Sequence, residues 1–398
     1  MWIWNAIKRT SIRSGCGRSS APVLFVLGGL SIACVACADR DIVYSARYYY
    51  PSSDGRKSHF HLYRVNLDGT HRTQITDGRF GDIDPLWSPD GYFIAFQRTK
   101  DGSEGAQGPG RICLVKADGG PVRTLLDLGI GGSWDKAWSP DGRTLAIGRI
   151  HWVWDHEPTV ERSRSVVYLI DARTGGRRHL QGWTGFVWSP DSTHGIGLHD
   201  DGGTQIIDLA TGRTVKLEQG ISYPVWLNQS TVVGLDVNKV NAPTVPILRF
   251  IGLNGKEKRT VAIKWSAPTE YPRQQDDRLR GISSLALIPG DKAGLICAID
   301  AGNSTLSPSY DYYRINLASG EMKHVADGQF LSWASDGNRF CAASVRDIRP
   351  LGKQINVWMS SLHVGNKRSG TIVPITPGDV WVVGADWLKK DSRAKQRK

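Results

Sequence analysis

The sequence Trp-Ser-Pro-Asp-Gly occupies residues 87–91, returns at 138–142, and returns with a final Ser at 188–192. Pro sets φ for the first corner of a type I turn, Asp can bond its own backbone, and Gly takes the left-handed position. A strand-like pattern follows each turn, as in residues 92–96 and 144–148. Each copy therefore predicts a tight hairpin between two antiparallel strands.

Weaker copies extend this repeat along the chain. They stand at 226–230, 287–291 (without Trp), 333–337 and 387–391. A second strand–turn–strand unit follows each hairpin, with turns such as Asn-Leu-Asp-Gly at 66–69. In the last copy we expect the first strand of this unit at 357–361, followed by a longer turn. Four-stranded units that recur every roughly 40–50 residues are typical of propeller blades.

The predicted fold is all-β, a single seven-bladed β-propeller with four antiparallel strands per blade. Residues 41–46 have the pattern of a second strand and 382–387 that of a first strand. We expect these N- and C-terminal strands to pair and close the ring, which removes the open sheet edges. The ring is expected to fill residues 39–388, between an export signal at 1–38 and a basic tail at 389–398.

These motifs resemble the TolB-like family of WD-like propeller repeats, over residues 41–391 and most strongly in the first four blades. The resemblance implies an exported propeller used mostly for binding. TolB itself carries an α/β domain before its propeller, and only about 40 residues precede this one, so a role in the Tol machinery is not expected to carry over. Related propellers precede a serine-hydrolase domain, but the sequence contains no Gly-x-Ser-x-Gly motif.

The first 38 residues predict export. Residues 1–20 hold four basic and no acidic residues, 21–36 are small or apolar, and Ala-Cys-Ala ends at residue 38. A cleaved signal, an uncleaved anchor and a lipoprotein signal at Cys34 or Cys37 all stay open. The predicted location is the periplasm or the cell envelope.

The formal net charge of +12 arises mainly at the two ends of the chain. Residues 389–398 carry six basic residues and one acid, so the ring itself is nearly neutral. We therefore predict no nucleic-acid partner, and membrane contact only through the N-terminal segment. Three cysteines follow residue 38, each in an apolar run, and are expected to be buried small hydrophobes; a Cys297–Cys341 disulfide stays open.

Long connections are expected on one rim of the ring and short turns on the other. The long segments are 47–59, 99–110, 150–164, 237–246, 266–281 and 301–311. Long loops on a rigid scaffold are where binding concentrates, so this rim is the predicted binding surface.

The candidate ligand-binding residues are those that the sequence predicts at the long-loop rim and the mouth of the channel. They are Asp84, Trp134, Asp135, His151, Trp152, Trp154, His156, Trp183, His199, Tyr223 and Trp381. The loop 151–157 could form a metal or sugar-stacking site, but it matches no metal-ligand spacing, and packing of its Trp residues on the next blade is favoured. The Trp and Asp residues at the mouth could hold a polar ligand or fill the channel.

The predicted function is a non-catalytic, monomeric scaffold that binds a protein or a cell-envelope polymer. We predict no catalytic residue, metal or cofactor for it. The alternative is a lyase-like propeller enzyme acting on acidic oligosaccharides, because similar seven-bladed lyases use channel-mouth His and a metal. Here that alternative would depend on His151, His156 and His199.

Overall fold

A computed structural model describes most of the predicted ring. The described residues are 42–48, 59–99, 110–129, 134–149, 166–201, 203–236, 246–264, 282–300, 310–329, 331–351, 355–377 and 380–388. The predicted export signal and basic tail lie outside them. Within the described ranges, no helix is long and apolar enough to cross a membrane.

The described strands form seven four-stranded antiparallel sheets. Within each blade the strands are given from innermost to outermost: blade 1 has β28 (Val380–Trp387), β1 (Ile42–Tyr48), β2 (His61–Val65) and β3 (Thr73–Gln74), and blade 2 has β4 (Gly81–Trp87), β5 (Phe93–Thr99), β6 (Gly110–Lys116) and β7 (Arg123–Gly129). Blade 3 has β8 (Trp134–Trp138), β9 (Thr144–Arg149), β10 (Val166–Asp171) and β11 (Arg177–Gln181), blade 4 has β12 (Trp183–Trp188), β13 (His194–His199), β14 (Gly203–Asp208) and β15 (Thr214–Lys216), and blade 5 has β16 (Ile221–Asn228), β17 (Thr231–Asp236), β18 (Ile247–Gly252) and β19 (Glu257–Ala262). Blade 6 has β20 (Ile282–Leu287), β21 (Gly294–Asp300), β22 (Tyr310–Asn316) and β23 (Met322–Gly328), and blade 7 has β24 (Leu331–Trp333), β25 (Arg339–Leu351), β26 (Ile355–Asn366) and β27 (Ile372–Pro374).

The predicted fold class is confirmed, including the closure of the ring. β28 pairs antiparallel with β1, from Ile42 opposite Trp387 to Tyr48 opposite Val380. The carboxylate of Asp386 in β28 accepts hydrogen bonds from the Trp87 amide (2.9 Å) in blade 2 and the Ser332 hydroxyl (2.8 Å) in blade 7. Since Asp386 is buried, these charge-assisted bonds tie the closing blade to both of its neighbours.

The Ser-Pro-Asp-Gly turns hold their shape through side-chain hydrogen bonds. Ser88 Oγ donates to Asp90 Oδ1 (2.5 Å) and accepts from the Phe93 amide (2.9 Å), while Asp90 Oδ1 also accepts from the Tyr92 amide (3.0 Å). The turns of blades 3 and 4 repeat these bonds through their own Ser and Asp. The sequence motif is thus a self-contained hydrogen-bonded unit.

The recurring Trp residues join one blade to the next. The indole Nε1 of Trp188 donates to the Ala137 carbonyl (3.0 Å), and that of Trp226 donates to the Val187 carbonyl (3.1 Å). In each case the acceptor directly precedes the Trp of the preceding blade. Because the rings are also buried, the same side chain supplies apolar area and orientation to the blade interface.

Arginines on the outer strands make a second set of links between blades. Arg64 donates to the Ala117 carbonyl (2.9 Å) in blade 2, and Arg259 donates to the Leu317 carbonyl (3.1 Å) in blade 6. Arg123 and Arg178 bond turns of their following blades in the same way. These four arginines therefore bind turns of the ring itself.

All three cysteines in the ring are buried, as the apolar runs predicted. Burial raises the pKa of the Cys113 thiol to about 11 and that of Cys297 to about 12. Cys297 and Cys341 pack in different hydrophobic clusters, so the structure contains no bridge between them.

Blade 7 departs from the prediction. The strand expected at 357–361 before a longer turn is instead part of β26, which has 12 residues, and its partner β25 has 13. The two strands pair as far as Leu351 opposite Ile355. This long hairpin, hereafter the arm (Val345–Leu351 and Ile355–Ser360), extends past the blade by about 20 Å on the long-loop rim.

Replacing Trp188 with Phe tests the indole links. The change leaves the Ala137 carbonyl without its donor, so we expect it to lower the free energy of unfolding. Trp87→Phe is the matched control, since the buried Nε1 of Trp87 has no hydrogen-bond partner. Urea denaturation should show Trp188→Phe to be about 1–2 kcal/mol more destabilising than Trp87→Phe. Equal losses would contradict a stabilising role for the indole hydrogen bonds.

Candidate functional site

Three innermost strands contain a left-handed residue at the same place, three positions before the blade's Trp: it is Gly185 in β12, and it is not glycine in the other two. Asp84 in β4 has φ 50° and Tyr223 in β16 has φ 51°. Each lies in a β-bulge, between Ile83 and Leu86 in one strand and between Ser222 and Val225 in the other. A bulge adds a residue to one strand and redirects its side chain.

Proline accompanies both bulges. Asp84 and Tyr223 are each followed by Pro, at positions 85 and 224. An innermost strand is a sheet edge, where the N–H that proline lacks is not needed by the ladder. Edge prolines and bulges commonly occur together, so the Asp-Pro and Tyr-Pro pairs were the sequence signal for these features.

The bulged residues expose their side chains along the central channel. Tyr223 is 40% exposed, which is high for a tyrosine within a strand. Asp84 is exposed as well, and its Oδ1 would lie 3.5 Å from a Cβ placed on Gly384 of the neighbouring innermost strand. The glycine leaves space beside the carboxylate. The pair offers a carboxylate acceptor and a phenol to a polar ligand in the channel.

The long-loop rim between blades 1 and 2 carries aromatic and arginine side chains. Trp381, partly buried at the start of β28, makes an edge-to-face contact with Phe60 at a centroid distance of 5.2 Å. The Arg47 guanidinium lies 5.1 Å from the centre of the Phe60 ring. These contacts fix Trp381 as part of a rigid wall at the rim.

A buried ion pair supports the same rim. Arg98 donates to both oxygens of Asp82, at 2.7 and 2.8 Å, and the Asp82 side chain is fully buried. The Arg98 guanidinium also lies over the Phe80 ring, with Cζ 4.9 Å from the ring centre. Phe80 remains partly exposed, so the ion pair holds an apolar ring at the surface.

His61 adjoins this ion pair. Burial lowers the pKa of its imidazole, and the neighbouring Asp82 carboxylate offsets part of that effect. Its buried Nδ1 has no hydrogen-bond partner. The structure therefore favours the neutral ring.

Trp183 and His199 pack against each other. Trp183 is only 4% exposed, and its ring meets that of His199 edge-on at 5.9 Å. His199 Nδ1 accepts the Asp201 amide hydrogen (3.3 Å), and Asp201 also approaches Lys216 Nζ (3.6 Å). Trp183 belongs to a buried cluster that also contains Phe186 and Trp188.

The side chains of the remaining predicted residues lie outside the described part of the chain. Trp134 and Asp135 lie in β8, where only the backbone is described. His151, Trp152, Trp154 and His156 lie outside the described residues. Within the described part of the chain, no group of three or more His, Cys, Asp or Glu is placed to hold a metal ion. The lyase-like alternative thus stays a prediction.

Comparisons with known proteins match this architecture only in part. No family model matches the chain. It is 36% identical over 111 residues to the uncharacterized protein Atu1656 of Agrobacterium fabrum, covering 25% of this chain and 35% of that protein. It is 32% identical over 114 residues to the uncharacterized peptidase YuxL of Bacillus subtilis, covering 28% and 16%. The matched region thus spans about a third or less of these relatives.

Solved structures match over much more of the chain. Acylaminoacyl peptidase of Pyrococcus horikoshii is 14% identical, with a TM-score of 0.55, over 85% of this chain and 51% of that one. An oligogalacturonate lyase in complex with manganese is 15% identical, with a TM-score of 0.51, over 84% and 85%. TolB of Acinetobacter baumannii is 13% identical, with a TM-score of 0.48, over 93% and 74%.

These similarities show the fold. The lyase and the peptidase match this chain at TM-scores above 0.5, and they confirm the predicted propeller fold. At 15% identity or less, the activities of these solved neighbours are not transferred with it.

Backbone strain at Tyr223 is testable by comparing two truncations. Alanine keeps a Cβ in the left-handed region, at a cost of about 1–2 kcal/mol, and glycine does not. We expect Tyr223→Gly to be more stable than Tyr223→Ala by about 1 kcal/mol in urea denaturation. Leu198 is the control, because it is an exposed strand residue without a left-handed backbone. Here we expect Leu198→Gly to be less stable than Leu198→Ala. The same order at both positions would contradict the strain.

His61 should make stability depend on pH. Its pKa lies below the ordinary value of 6.5 in the folded protein, so the unfolded chain takes up the proton first as pH falls. The contribution is complete above about pH 6.5 and is lost as pH falls below that value. His61→Gln should flatten the slope of the unfolding free energy between pH 7 and about pH 5. An unchanged slope would contradict the buried neutral ring.

Proposed function

We propose that the protein is an exported, non-catalytic propeller that binds a protein or a cell-envelope component at its long-loop rim and channel mouth. The observation that carries the proposal is the pair of exposed, left-handed residues Asp84 and Tyr223 on the innermost strands. Non-glycine residues in this conformation cost free energy and cluster at binding sites. Four such residues occur in the described chain, and the other two, His71 and Ser192, lie in turns.

The two rims differ in how their polar groups are used. On the short-turn rim, Asp171 and Asp208 accept hydrogen bonds from their own turns, which lower the pKa of both carboxyls. These groups are already satisfied internally. On the long-loop rim, Phe80 and Trp381 are held partly exposed by their neighbours. A rigid surface with exposed aromatic rings suits recognition of a partner.

The arm adds to this asymmetry. It extends from the long-loop rim as two paired strands, beyond the four-stranded part of blade 7. A two-stranded ribbon is marginally stable alone, and a partner would stabilise it.

Export is the sequence-based part of the proposal. It depends on the basic segment, the apolar run and the Ala-Cys-Ala sequence within residues 1–38. An exported propeller in the envelope would meet proteins and polymers of that compartment, which sets the partner class.

Capture from a cell-envelope fraction tests the binding surface. Immobilised protein is compared with Tyr223→Ala and with Tyr92→Ala, because Tyr92 is the matched control, a tyrosine 71% exposed in a turn on the short-turn rim. We expect Tyr223→Ala to reduce recovery of the captured component about fivefold or more, through the loss of an aromatic contact, and Tyr92→Ala to leave it unchanged. Equal recovery with both variants, each confirmed to be folded, would contradict a site at the channel mouth.

A further inference from the structure

Among the described strands, none pairs with either outer edge of the arm. β24 pairs with β25 only at residues 340–342, and β27 pairs with β26 only at 363–365. Between Val345 and Ser360 the described residues form a two-stranded ladder with one bulge. An edge of this kind is a template for another strand.

The hydrogen bonds at the base of the arm show which backbone groups point outward. The Leu362 carbonyl accepts from Ile375, and the Asn366 amide donates to Thr371, so these groups face β27. The Lys367 amide, one position on, donates to Asn338 and faces β25. Backbone groups alternate in direction along a strand.

This alternation continues up β26, where each residue pairs in turn with β25. It places the N–H and C=O groups of Asn356 and Trp358 on the outer edge of the arm. On the other edge, the corresponding position of β25 is Pro350, which lies opposite Asn356. Proline has no N–H to offer, so one edge of the arm is blocked there, whereas no described strand covers the edge of β26.

The charge of the arm indicates the kind of segment that would fit. The arm contains two basic residues, Arg346 and Arg349, and one acid, Asp347. A strand carrying acidic side chains would complement this charge, whereas a basic strand would be repelled.

We propose that the outer edge of β26 binds an extended acidic segment of a partner protein as an added β-strand. Main-chain hydrogen bonds to Asn356 and Trp358 would give affinity, and the charge of the arm would select the segment. This inference rests on the proposed binding role of the long-loop rim and names the chemistry of the partner there.

The test uses fluorescence anisotropy with two labelled decapeptides, one of alternating Val and Glu and one of alternating Val and Lys. We expect the full-length protein to bind the acidic peptide about tenfold or more tightly than the basic one. Asn356→Pro removes an outward N–H without removing a bond to β25, and should weaken binding about tenfold. Asn356→Ala keeps the N–H and should bind like the original protein.

Ile348→Pro is the matched control, because Ile348 lies opposite Trp358 on the other edge of the same arm. It should bind the acidic peptide as well as the original protein does, with an unchanged thermal unfolding midpoint for both proline variants. Absence of binding, equal affinity for the two peptides, or equal loss in both proline variants would overturn the proposal. A concentration-dependent dimer abolished by Asn356→Pro would also overturn it, by showing that a second copy occupies the edge.

The outcome is separable from that of the proposed function. If neither peptide binds but Tyr223→Ala still reduces capture, the proposed binding site at the channel mouth stands and only the role of the arm is rejected. If the acidic peptide binds but Tyr223→Ala does not reduce capture, the role of the arm stands and the site at the channel mouth is rejected.

Discussion

The pairing of β28 with β1 is the constraint on which the rest of the molecule depends. Each blade is a small sheet with two apolar faces, and only a closed ring gives every face a neighbour. The closing blade is built from both ends of the described chain, and Asp386 bonds it to the blades on either side. Since the innermost strands are held in this way, two of them keep a non-glycine residue in left-handed backbone that a free strand would relax.

The hairpins, the number of blades and the closure could be predicted because they follow from turn chemistry and a regular period. The position of each candidate side chain could not. The sequence predicts both Trp183 and Tyr223 at the channel mouth, but Trp183 packs in a buried cluster while Tyr223 is exposed at its bulge. The arm was missed for a related reason: Pro350 indicates a turn, and only the pairing of β25 with β26 extends the strand through it.

The basic residues of the ring have a structural explanation that composition does not reveal. Arginines on outer strands donate to backbone carbonyls in the turn of the following blade, as Arg64 and Arg259 do. A guanidinium that donates to carbonyl oxygens stabilises the fold, although it still counts fully in the formal charge. For these arginines the formal charge is therefore a poor guide to partners.

Closure of the ring has a kinetic consequence. Ile42 pairs with Trp387, so nearly the whole chain lies between the two strands of one ladder, and its ends must meet at a high cost in loop entropy. Neighbouring blades can form first from contacts closer in sequence, whereas the closing blade has to wait for the last strand. Until that strand arrives, β1 and the faces of the first and last complete blades remain open to association with other chains. The slowest and most aggregation-prone step of folding is therefore expected at the seam between the two ends.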